Sequence, residues 1–170
     1  MTEQELVDLL GALPGVAAVT ASKEGGAPEV ACGDRFFFYD PDGDTPADRR
    51  WPFATIVTKD YPGWDVASNL DRAGVYRLNL DVGRRRFEEL FGFPAADFGA
   101  RQDAFDFAAS DRVLPHPTYA KQGWISIIVP GEATHEQLPA LIGLAHQRAR
   151  DRFQRRGESA GQENPGVRGD

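Results

Sequence analysis

Seven side chains able to hold or polarise a ligand fall in three short stretches. They are Lys59 and Tyr61 in KDYPGWD, Arg77 and Asn79 in GVYRLNLDV, and His116, Tyr119 and Lys121 in LPHPTYAKQGW. A lysine beside a carboxylate, as in Lys59-Asp60, can hold an anionic ligand and orient a proton donor; the same residues also make a capped turn with Trp64 packed on the core. Arginine grips carboxylate or phosphate with two parallel hydrogen bonds, and asparagine both donates and accepts. Arg77 and Asn79 can therefore line a small-molecule groove, or Arg77 can pair with an acidic neighbour on an exposed face. An imidazole titrating near neutrality suits general acid-base work, so His116 is the candidate catalytic residue, with Tyr119 or Lys121 polarising a substrate oxygen. Held between Pro115 and Pro117, His116 can equally supply a turn with a hydrogen bond. His135 and His146 sit at a helix start and on a helix surface, as ordinary cap and surface positions.

Several chemistries leave no signature. The chain has no Walker loop, G-x-S-x-G elbow, H-E-x-x-H, paired cysteines or dinucleotide fingerprint. Three separated histidines and one cysteine make no zinc spacing, so neither a metal nor a cofactor is expected. DPDGDTPADRRW, from Asp40 to Trp51, opens like a calcium loop but lacks its later glutamate, and reads as a solvated loop. A net charge of -7, concentrated outside a basic C-terminal stretch, argues against a broad phosphate-binding face. The single Cys32 reads as a small buried hydrophobe on a strand. An acidic N-terminus and the lack of any long apolar run predict a cytoplasmic protein with no membrane span.

The elements that must position these residues are legible from pattern. Thr2 and Glu5 form a capping box before Leu6, Leu9, Leu10 and Leu13, which share one helical face. Strands are expected at Val16 to Ala21, Glu29 to Gly33, Arg35 to Tyr39, Pro52 to Thr58, Gly74 to Val82 and Trp124 to Val129. In the fifth, Val75, Arg77, Asn79 and Asp81 face one way and Tyr76, Leu78, Leu80 and Val82 the other, as in an antiparallel sheet with helices packed on one face. RRRFEELFG reads as a helix ending at Gly92. Pro94 to Asp111 fits neither period and reads as irregular or short helical structure. Thr134 and Gln137 form a second capping box ahead of a long helix marked by Leu138, Leu141, Ile142, Ala145, Ala149 and Phe153. Residues 1–156 are expected to form one α+β domain and 157–170 a disordered polar tail.

PFATIVTKDYPG, SNLDRAGVYRLNLDVGRRRFEELFG and LPHPTYAKQGW together resemble the domain-of-unknown-function family 6194, over about residues 3–153. More distantly, PHPTYAKQGWISIIVPGEATHEQLPALIGLAHQRA resembles the closing half of the MmcQ/YjbR group. That resemblance implies a CyaY-like double-wing fold, a curved antiparallel sheet with helices on one face and a long C-terminal helix. It also implies DNA binding, for which Arg84, Arg85 and Arg86 are offset at once by Glu88 and Glu89. The iron handling of frataxin-like relatives would fall here to Glu3, Glu5 and Asp8, which equally serve the helix dipole. The leading expectation is a domain that binds a small anionic molecule or a protein partner on the sheet face and its loops. An enzyme using His116 is the alternative, and a nucleic-acid partner is the third.

Overall fold

The first helix, α1 (Glu3–Gly11), starts as the sequence indicates. Thr2 Oγ1 accepts from the Glu5 backbone at 3.2 Å, while Glu5 Oε2 accepts from the Thr2 N–H at 2.7 Å. Leu6 and Leu10 are fully buried, but Leu9 turns to solvent. The computed structural model describes residues 1–162, with side chains to Gly157.

Strands β1 (Val16–Thr20), β2 (Arg35–Tyr39), β3 (Ala54–Val57) and β4 (Arg77–Asp81) follow as an antiparallel meander. Then come α2 (Gly83–Phe91), a two-residue edge strand β5 (Leu114–Pro115), β6 (Trp124–Ile128), a short α3 (Glu132–His135) and the long α4 (Leu138–Gln162). The sheet order is β1-β2-β3-β4-β6-β5, with β6 antiparallel to both β4 and β5. The molecule is thus α+β, with a six-stranded antiparallel sheet and a long C-terminal helix.

Two expected elements change here. Glu29 to Gly33 is not a strand: Glu29–Ala31 is a 3-10 turn behind Pro28, closed by Ala31 N–H to Pro28 O at 2.9 Å. The hairpin already uses Ala21, which donates to Asp34 O and accepts from Gly33 N–H, so no ladder position remains for that segment. Thr134 does not begin the long helix. It lies inside α3, where its N–H and hydroxyl both donate to Asp111. The long helix α4 spans Leu138–Gln162, and residues 163–170 of the expected tail lie outside the described residues.

Alternation sorts the sheet into two faces. Phe37, Ile56, Leu78, Leu80, Ile125 and Ile127 point to the helices, meeting Leu6, Leu10, Phe87, Leu141, Ile142 and Ala145 in one core. His146 joins that side, contrary to the surface position expected of it. Four residues after Ile142 and three before Ala149, it shares their inward face of α4, lies edge-on to Tyr39 and Phe53, and has Nε2 2.8 Å from Pro14 O. The 94–111 stretch shows neither period because Phe93, Phe98, Phe105 and Phe107 pack on one another as a ring cluster beside α2.

The opposite face carries Phe36, Thr55, Val57, Arg77, Asn79, Trp124 and Ser126. It is not the exposed polar surface the alternation suggested: Arg77, Asn79 and Ser126 are each only 2% exposed. The loop from 58 to 75 and the segment from 116 to 123 cover it. The second segment is located by Gly123 (φ 88°), whose O accepts from Gly83 N–H at 3.0 Å. A Cβ at Gly123 would stand 2.4 Å from the Gly83 carbonyl carbon, so the two backbones touch there.

Candidate functional site

Between that face and its covering loops lies an open cavity of about 450 Å³. Thr55, Arg77 and Asn79 form its floor, and Tyr61, Asp65 and His116 one wall. All three tryptophans of the chain line it: Trp124 is buried, while Trp51 and Trp64 stand 57% and 65% exposed at the mouth. An apolar cleft with a few fixed polar groups is the usual anatomy of a small-molecule site.

The floor is held by a buried ion pair. Arg77 Nη1 and Nη2 donate to the two carboxylate oxygens of Asp65 at 3.1 and 2.6 Å. Nη1 also donates to Ser68 Oγ at 2.7 Å, and Nε to Asn79 Oδ1 at 2.8 Å. Asn79 passes the chain on, donating from Nδ2 to Thr55 Oγ1 at 2.9 Å. Four of the five guanidinium N–H groups therefore have acceptors. The remaining one, on Nη2, lies against His116 Nε2 at 3.5 Å.

His116 is 2% exposed. Its Nδ1 accepts two backbone hydrogen bonds, from Thr118 at 3.0 Å and Tyr119 at 3.1 Å. A nitrogen that accepts carries no proton, so the neutral ring must carry its proton on Nε2. Burial, and secondarily the Arg77 charge, hold the imidazole pKa well below 6.5, so the ring is neutral near pH 7. The contact between Nε2 and Arg77 is then donor against donor.

Residues 60–71 bring the second half of the site. The loop is closed by Leu70 N–H to Asp60 Oδ1 at 2.8 Å and by Asp60 N–H to Asp71 Oδ1 at 3.1 Å. A tight turn lets the Trp64 and Asp65 N–H groups both donate to Tyr61 O at 2.9 Å, placing Tyr61, Trp64 and Asp65 side by side. The Tyr61 hydroxyl donates to Asp34, which also accepts from Thr58 N–H at 3.1 Å. Burial raises the Asp34 pKa, with those hydrogen bonds opposing it; burial and Asp34 together push the Tyr61 phenol well above its ordinary range.

Of the seven residues singled out from sequence, Tyr61, Arg77, Asn79, His116 and Tyr119 line this cavity, and Lys59 and Lys121 do not. Lys59 Nζ donates to Cys32 O at 2.7 Å, tying the loop to the Pro28 turn, and Lys121 is exposed. Trp64 is at the mouth rather than packed on the core. Arg77 does pair with an acidic residue, but in a buried cluster rather than on an open surface. Asp65, Ser68, Thr55, Trp51 and Trp124 were not anticipated. A buried arginine requires a carboxylate, yet nothing local in the sequence singles out Asp65 among the acidic residues.

No group of three or more His, Cys, Asp or Glu side chains among the described residues could hold a metal ion. No helix among them is long and apolar enough to cross a membrane. No curated protein and no solved structure matches the chain. A family model, the family of unknown function DUF6194, matches residues 1–158, and the chain belongs to that family.

Proposed function

We propose that this domain binds a small organic molecule, flat and largely apolar, in the cavity on the helix-free face of the sheet. The observation that carries this reading is the convergence of all three tryptophans and a hydrogen-bonded polar floor on one cavity of about 450 Å³. A protein partner is the other reading of the exposed aromatic mouth. A small molecule is favoured because Arg77 and His116, each 2% exposed, lie too deep for a flat protein surface to reach.

Catalysis with His116 as general acid-base finds less support. A base needs a free lone pair, but Nδ1 is already bonded to two N–H groups and Nε2 carries the proton. The DNA binding implied by the MmcQ/YjbR resemblance is weakened by pairing within α2, where Arg85 and Arg86 both bind Glu89. It is tested by gel retardation of duplex DNA at low salt, in which no shift is expected.

The main test is a metabolite screen read by tryptophan fluorescence and thermal shift. A true ligand changes the emission and raises the melting temperature together, because binding to the folded state alone stabilises it by mass action. Trp64→Ala, at an exposed position, should weaken that ligand severalfold without lowering the melting temperature of the free protein. Ligands that stabilise the protein with no change in emission, and no sensitivity to Trp64→Ala, would place binding elsewhere.

A further inference from the structure

We infer that the ligand presents an uncharged carbonyl oxygen to the cavity floor, accepting from His116 Nε2–H and from the last free N–H of Arg77. This rests on the cavity being the binding site and specifies what it selects. The two nitrogens are 3.5 Å apart, and because Nδ1 accepts from the Thr118 and Tyr119 N–H groups the neutral imidazole carries its proton on Nε2, so both face each other as donors. Two buried donors facing each other leave both unsatisfied, which is unfavourable for side chains this deeply buried. One oxygen set about 2.9 Å from each nitrogen satisfies both, since a carbonyl has two lone pairs.

The charge balance selects a neutral acceptor over an anion. Asp65 already neutralises Arg77 through two hydrogen bonds, and His116 is uncharged. No other lysine or arginine among the described residues lines the cavity. A carboxylate or phosphate would surrender its hydration to meet a floor with no net positive charge and with the Asp65 carboxylate close by. A ketone, amide or lactam surrenders far less and uses the same two donors. Trp51, Trp64, Trp124 and Phe36 provide for its flat apolar body.

Two substitutions of His116 separate its roles. In His116→Asn the side-chain oxygen can stand where Nδ1 stood and keep the Thr118 and Tyr119 hydrogen bonds, while the cavity donor is lost. In His116→Gln the amide nitrogen can stand where Nε2 stood and keep the donor, while the backbone hydrogen bonds are lost.

The probes are 3-acetylindole, 3-ethylindole and indole-3-carboxylate, which share a ring and differ in the acceptor. Binding is read by backbone amide NMR titration of the full chain. On the wild type, 3-acetylindole should bind about tenfold more tightly than either of the others. His116→Asn, which leaves only the Arg77 donor, should lose most of that preference over 3-ethylindole, and His116→Gln should retain most of it. Equal binding of 3-acetylindole and 3-ethylindole at the cavity would overturn the carbonyl assignment while leaving the cavity as the site. Tighter binding of the carboxylate would overturn the neutral-acceptor assignment. Should none of the three shift cavity amides, both the assignment and the cavity reading fall. The wild-type comparison stands by itself if a variant does not fold.

Discussion

His116 shows how burial changes what a side chain can do. In water an imidazole exchanges protons near neutrality; here it is desolvated, lies beside a guanidinium and has one nitrogen committed to the backbone. It becomes a fixed donor. Long-range proton-nitrogen NMR correlations should find the proton on Nε2, with Nδ1 bare, throughout the neutral range. The pH dependence of stability follows in sign. The unfolded ring binds a proton near pH 6.5 and the folded ring only well below it, so this contribution is full above pH 6.5 and is lost as pH falls. The urea midpoint of the wild type should accordingly drop more steeply between about pH 7 and pH 5.5 than that of His116→Asn. Asp65 carries a different burden, because removing it strands a buried guanidinium. Asp65→Ala should lower the unfolding free energy in urea by about 3 kcal/mol. A loss well below 1 kcal/mol would mean that Arg77 reaches solvent. Alternation along β4 put Arg77 and Asn79 on one face and so made them legible in the sequence. Asp65 was not legible, because it reaches Arg77 from a loop twelve residues away.

Two backbone junctions set the position of the elements that carry the site. Where α2 begins, Gly83 meets Gly123, which turns the chain from the His116 segment into β6. Both have positive φ, yet their surroundings differ: a Cβ at Gly123 would strike Gly83 and Arg84 backbone at 2.4 and 2.5 Å, whereas one at Gly83 would meet the mobile end of Arg148 at 2.3 Å. Gly123→Ala is thus expected to destabilise by more than about 2 kcal/mol and Gly83→Ala by less, since only the second neighbour can swing aside. Comparable losses in chemical denaturation would contradict this. The other junction is Asp111, whose carboxylate accepts from the N–H groups of Gly131, Ala133 and Thr134 at 2.7, 2.8 and 3.1 Å. It caps α3 from a distant loop. Asp111→Ala should cost roughly 1–2 kcal/mol, the usual loss for a helix cap. Local rules located α1, α2 and β6 well because their caps and periods are contained in their own residues. They misplaced Glu29 to Gly33 and the start of α4, where the deciding hydrogen bonds come from Ala21 and Asp111.

At the scale of the whole molecule, the sheet is asymmetric. One face buries the core against α1, α2 and α4, and the other is roofed by loops that leave a cavity under Trp51 and Trp64. The sequence by itself determined the α+β class, the two-faced character of β4, the family membership and the starts of α1 and α2, because each follows from spacing within a short segment. It also marked Tyr61, Arg77, Asn79, His116 and Tyr119 as chemically capable. Only the tertiary structure decided that these five share a cavity while Lys59 and Lys121 stand outside it. It alone decided that Arg77 is neutralised by Asp65, and that His116 points a proton rather than a lone pair at the cavity. The physical reason is that charge, burial and tautomer are properties of surroundings. Here the surroundings are assembled from loop 60–71, β4 and the segment before β6, which meet only when the sheet closes.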